Sequence, residues 1–246
     1  MATFNANRQD IFKLKPSPEI PPITFPFEFG SSGVHEVCET QHGDLPALFG
    51  FSLAASARRR GVILHVQQST LGIEHGDTLY AGAEGFQSQA NSILSVFTRK
   101  GTDALWAIEE GIKSAAVGLV IAEIANCDFT ASRRLVLASS RYGVPVILLM
   151  PYMREGATAA KARWRVRPRL SANNQFDPRG LGAARWHAVL ERSRQAPHFA
   201  GRRFNLEWND DTLSLTMAPK LAAHQIEARA DKPSGRSDPG QLLRYG

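Results

Sequence analysis

The chain has 246 residues, 43% of them hydrophobic and 21% charged, with two cysteines and a net charge of +6. This fits one large domain with appendages and a real core, and it excludes wholesale disorder, a collagen-like rod and a disulfide-stapled scaffold. The charge is uneven: residues 1–160 hold 13 basic and 15 acidic side chains, whereas residues 161–246 hold 16 and 8. The basicity belongs to the last third, where it points to a polyanion or an acidic protein surface.

Residues 1–33 read as a proline-rich leader. Pro16, Pro18, Pro21, Pro22 and Pro26 fix φ and remove backbone donors, while Phe25, Phe27 and Phe29 alternate and suit one short extended edge. From Gly33 on, apolar runs alternate with helix-period segments. The pattern predicts a strand over Val34–Cys38, a helix over Asp44–Arg60 with Asp44 as N-cap, and a strand over Val62–Val66. A glycine-bearing loop stretch follows, then a strand over Ile93–Phe97. Thr102 is the expected N-cap of a helix over Asp103–Ser114. Val117–Ile124 is a nearly continuous apolar run, as in a strand covered on both faces. A helix over Thr130–Tyr142 is closed by Gly143, and Val144–Met150 is a further buried strand.

After Pro151 the character changes. Arg163–Arg169, Arg185–Glu191, Arg203–Trp208 and Thr212–Met217 alternate like antiparallel strands. The expected architecture is α/β: a mostly parallel sheet flanked by helices over 34–218, closed by antiparallel C-terminal strands. Residues 219–246 hold few large apolar side chains and read as a mostly disordered basic tail.

A strand–turn–helix opening invites a search for a phosphate site. A P-loop needs glycines that wrap phosphates, a Lys to neutralise them and a Ser or Thr for magnesium. Here the turn is Glu39, Thr40, Gln41, His42, Gly43 and Asp44, with one glycine, no Lys and two acids. No Gly-Lys-Ser/Thr occurs anywhere, so no nucleotide cofactor and no ATPase activity is expected. Glu123 stands alone at the end of its strand, and Gln67 and Gln68 stand where a catalytic carboxylate would polarise water. Gly180-Leu-Gly182 lacks the strand–helix context of a dinucleotide site. No catalytic residue is expected, and no metal site: Cys38 and Cys127 read as buried thiols without a second Cys at ligand spacing.

The basic region has more structure. Arg163, Arg165, Arg167 and Arg169 share one strand face, with Lys161 beside them and Trp164 and Val166 on the other face. Arg185 opens the next strand. These cations are candidate contacts to DNA phosphates or an acidic partner. In the tail, Leu242, Leu243 and Tyr245 suit a segment that folds on a partner.

Three blocks carry a resemblance. They are Gly33-Val-His-Glu-Val37; Asp103-Ala-Leu-Trp-Ala-Ile-Glu-Glu110 with Phe129-Thr-Ala-Ser-Arg-Arg-Leu135; and Ala162-Arg-Trp-Arg-Val166 with Gly180-Leu-Gly-Ala-Ala-Arg-Trp186 and Leu206-Glu-Trp208. Together they resemble the ImuA family, RecA-like and sometimes called SulA-like, over roughly residues 33–217. The resemblance implies a RecA-like core that has lost ATP chemistry. It also implies an accessory role in damage-inducible mutagenesis, the translesion synthesis arm of the SOS response. In that role the protein connects ImuB and an error-prone C-family polymerase with RecA or DNA. It further implies that Met153–Ala162 and Ala172–Leu181 occupy positions comparable to RecA-type DNA-binding loops. The alternatives are a SulA-like inhibitor of cell division acting on FtsZ, and a DNA-binding RecA-type protein with residual ATP binding. No apolar run approaches the ~18 residues that span a bilayer, and no signal pattern opens the chain, so a cytoplasmic protein without membrane partners is expected.

Overall fold

A computed structural model describes residues 29, 33–76, 78, 80–86, 93–174, 176, 177 and 179–218. Most of the expected leader and all of the tail, with Leu242, Leu243 and Tyr245, lie outside these residues. Among them, nine strands form one sheet: β1 (Val34–Glu39), β2 (Val62–Gln68), β3 (Ile93–Thr98), β4 (Val117–Glu123), β5 (Val146–Met150), β6 (Ala162–Arg169), β7 (Arg185–Ser193), β8 (Arg203–Asn209) and β9 (Ser214–Met217). The helices are α1 (Leu45–Ala55), α2 (Ser69–His75), α3 (Tyr80–Ala83), α4 (Gly101–Ser114) and α5 (Phe129–Tyr142). The sheet order is β3-β2-β4-β5-β1-β6-β7-β8-β9, parallel from β3 to β6 and antiparallel from β6 to β9. No helix among the described residues is long and apolar enough to cross a membrane.

The order explains the two cores. From β1 the chain runs toward β3, then turns back through β4 and β5. Right-handed crossovers put the two directions of travel on opposite faces. So α1 buries Leu45, Leu48, Phe49, Phe51 and Leu53 on one face, joined by Trp164, Trp186 and Trp208 of the antiparallel strands. The other face takes Ala104, Ile108 and Ile112 of α4 and Leu135 of α5 against Leu64, Val120 and Leu148. Phe29, from the expected leader, is buried in the first core against Phe51 and Trp164.

Element ends differ from expectation for local reasons. Helix α1 stops at Ala55, not Arg60. The Ser56 hydroxyl donates to the Ser52 carbonyl at 2.5 Å, and the Arg59 Nε donates to the Gly118 carbonyl at 2.9 Å, which draws the chain toward β4. Helix α4 begins one residue before its expected Thr102 cap, with Lys100 at the N-cap. Asp128 caps α5 by accepting from the Ala131 N–H at 2.7 Å. Strand β5 starts at Val146, behind Pro145. The loop stretch after β2 contains α2, whose Gly72 interrupts the apolar period.

Candidate functional site at the carboxyl edge of the sheet

In an open parallel sheet, ligands bind beyond the carboxyl ends of the strands, where successive connections leave to opposite faces. Here that edge carries Glu39 at the end of β1 and Glu123 at the end of β4. Both carboxylates are buried.

Glu39 is turned into its own chain. Its Oε1 accepts the N–H groups of Leu45 at 2.7 Å and Gly43 at 3.2 Å, and its Oε2 accepts the Tyr152 N–H at 3.1 Å. Gly43 adopts φ +96°, which lets the turn present its N–H. The Asp44 carboxylate accepts the Gln41 N–H at 3.2 Å, and the Thr40 N–H bonds the Val166 carbonyl. The donors at the start of α1 are those a phosphate would use. A carboxylate of the chain already holds them.

Glu123 ends a buried relay. Its Oε1 lies 3.0 Å from His65 Nε2 and 3.3 Å from Thr78 Oγ1; its Oε2 accepts from Gln67 Nε2 at 2.9 Å. His65 Nδ1 lies 2.9 Å from the Tyr80 hydroxyl, which accepts from Ser95 Oγ at 2.7 Å. Donor directions close if His65 carries its proton on Nε2, so that Ser95, Tyr80, His65 and Glu123 pass hydrogen bonds one way. Three donors therefore reach Glu123. Gln67 is its partner, while Gln68 Oε1 accepts the Ala125 N–H at 3.1 Å. An apolar cavity of about 300 Å³, lined by Leu45, Phe49, Leu53 and Phe86, abuts this relay. His65 escaped the sequence reading. Its signal is a polar side chain two residues before Gln67, on the same face of an otherwise apolar strand.

A second cleft, of about 870 Å³, opens between the turn after β1, α2 and the segment after β5. In it the donor atoms of Glu39, His42 and His75 lie within 4.8 Å of one another. The His42 and His75 rings are 5.3 Å apart between centroids. Glu74 reaches both, at 3.6 Å from His42 Nδ1 and 3.8 Å from His75 Nε2. No ligand spacing shows in the sequence because Glu39 and His42 close β1 and its turn, whereas Glu74 and His75 end α2.

The arginine row divides along β6. Arg163 is buried, with Nε 2.6 Å from Glu36 Oε2, and Arg154 reaches the other oxygen of Glu36 at 3.0 Å. Burial works against the Arg163 charge; the hydrogen bond and charge of Glu36 outweigh it and raise the pKa. Arg165 bonds Glu191 at 2.5 Å and the backbone carbonyls of Glu39, Tyr152 and Arg154. Arg167 and Arg169 are exposed, and Arg169 donates to Asn205 at 2.7 Å. Arg185 is half-buried and pairs with Glu207 at 2.6 Å. The Lys161 stem lies over Gly33, within 2.7 Å of where a Cβ would stand. The structure thus draws Arg163 and Arg165 inward and leaves Arg167 and Arg169 outward.

Trp164 and Val166 face the core, as their alternation predicts, and the Trp186 indole donates to the Ala47 carbonyl at 3.1 Å. Gly182 lets the backbone of Ala172 approach to where a Cβ would stand, so this glycine serves loop packing. Cys38 and Cys127 are free and buried, and burial pushes both thiols up to about 12. No protein-family model matches the chain, and none of the curated proteins compared with it is similar.

Proposed function

We propose that this chain is a non-catalytic accessory protein of damage-inducible mutagenesis. In this reading it is an ImuA-type, RecA-like component of translesion synthesis that joins ImuB and its error-prone C-family polymerase to RecA or DNA. The observation that carries the non-catalytic part is Glu39. Its carboxylate occupies the backbone donors at the start of α1, with no Lys in the turn to draw a triphosphate there. A nucleotide would have to displace a buried, hydrogen-bonded carboxylate and then face its charge.

The partner-binding part rests on the middle block of the resemblance. Its two halves lie on α4 and α5, which pack together and are tied by an ion pair between Glu109 and Arg134. They expose Trp106 and Phe129, at 66% and 47%. Exposed aromatics beside arginines are the side chains that dominate protein interfaces. The DNA part falls to the outward Arg167 and Arg169, next to the segment 171–184.

Pull-down of the purified full chain with ImuB and with RecA tests this reading. Association with at least one at micromolar concentration is the expected result, weakened about tenfold or more by Trp106→Ala. Absence of association with both overturns it. For DNA, affinity should fall steeply with salt, and the joint Arg167→Glu and Arg169→Glu change should flatten that slope. An unchanged slope removes this face from the proposal.

A further inference from the structure

The cleft beside Glu39 contains an arrangement that the accessory role does not use. Two imidazoles from different elements meet there. His42 sits at the tip of the turn after β1, and His75 is the last residue of α2. In sheet order β4 and β5 lie between the strands that lead into these two elements, so nothing in local sequence brings them together. Two carboxylates complete the set. Glu39 forms the floor, and Glu74 lies within 4 Å of a nitrogen of each ring.

The four side chains differ in freedom. Glu39 is fixed by three backbone N–H groups, yet among the described residues its Oε2 accepts one of them, which leaves that oxygen a further lone pair. The His75 side chain is 7% exposed and held in place. Those of His42 and Glu74 are 60% and 51% exposed and can swing. A tetrahedral zinc site with bonds of about 2.0–2.1 Å needs its donor atoms roughly 3.4 Å apart. Glu39, His42 and His75 already lie within 4.8 Å of one another, so closing these three on an ion takes a shift of about 1.4 Å, which the exposed His42 can supply, while Glu74 must turn one oxygen in from its place against the two rings. The backbone bonds to Glu39 act as an outer shell that orients a ligand before the ion arrives.

We propose that Glu39, His42, Glu74 and His75 form a binding site for one divalent first-row transition cation of the zinc class. Bound there, the ion clips the turn after β1 to the end of α2. The donor set decides the class. Two imidazole nitrogens with two carboxylates suit zinc, cobalt, nickel or copper; magnesium and calcium demand all-oxygen shells. The two carboxylates also neutralise a doubly charged ion.

The test uses the full chain stripped with a chelator and titrated with zinc by calorimetry, with cobalt as a spectroscopic substitute. One ion per chain is expected, bound at micromolar affinity or tighter, with intensified visible cobalt bands that mark tetrahedral coordination, and with a raised melting temperature. His42→Ala and His75→Ala should each weaken binding by at least about 100-fold, beyond the 10–100-fold typical of outer-shell changes. His187→Ala and His198→Ala, on the antiparallel side, should leave it unchanged. Melting curves of the metal-free variants confirm that each one folds; His42 is exposed enough that its loss should not disturb the fold. No uptake at about 100 μM free zinc overturns the site. Uptake that survives both His42→Ala and His75→Ala also overturns it.

Discussion

The sheet has two halves that meet in β6, and they handle charge in opposite ways. The parallel half is covered on both faces, so each acid it buries is met from within: Glu36 by Arg154 and Arg163, Glu39 by backbone N–H groups, Glu123 by His65, Gln67 and Thr78. The antiparallel half carries three buried tryptophans in this core region and leaves Arg167, Arg169, Arg192 and Arg203 exposed, with Arg185 half-buried against Glu207. Strand β6 belongs to both, and its arginine row changes role midway. The lesson is that strand alternation assigns a face, while the neighbouring layer decides whether that face is inside.

This contrast is sharpest within β6. Arg163→Ala leaves Glu36 buried with one guanidinium fewer, and such truncations cost about 3–5 kcal/mol. Arg167→Ala, four residues on and exposed, should stay within about 0.5 kcal/mol. Urea denaturation of the two variants reads the difference, and equal losses would erase the division between the inner and outer arginines of β6. The next effect depends on pH. Both thiols sit in the parallel half with pKa values raised from 9.0 to about 12. A raised acid binds more protons folded than unfolded, so its contribution is whole below pH 9 and is lost as pH rises toward 12. The slope should be roughly 1 kcal/mol per thiol per pH unit in that window, and Cys127→Ala should cut it by about half, leaving the Cys38 share. Smaller still is Glu39→Gln, whose amide must turn a donor toward a backbone N–H. A loss of about 1–3 kcal/mol is expected in thermal melts. On the proposed reading no ATP binding is expected of this variant either, since no Lys is restored.

Much of the fold was legible because its signals are local. Val117–Ile124 and Val144–Met150 are apolar without a break, as strands between two helix layers must be. Alternation in Ala162–Val166 placed Trp164 and Val166 in the core. Helix α2 was hidden by Gly72 and Gly76, and its seven residues make too few turns to show a period. The site was less legible. The missing Lys could be read directly, but the use of Glu39 as an internal anion could not: two of its partners, Gly43 and Leu45, are backbone N–H groups that carry no side-chain signal, and the third, Tyr152, lies 113 residues away. The same holds for Arg163 and Glu36, separated by 127 positions. A lone His65 in a strand gives no hint that Tyr80 and Glu123 will close on it.

Glu39 has a consequence for control. A fold that holds a hydrolysable anion at this turn has two conditions, loaded and spent, and can report which it is in. Here the anion is part of the polypeptide, made with it and never released. If the turn takes no nucleotide, as proposed above, such a core has no clock and no fuel gauge. In the accessory role proposed above, its associations would then follow how much of the chain is made, the form of control open to a damage-inducible protein.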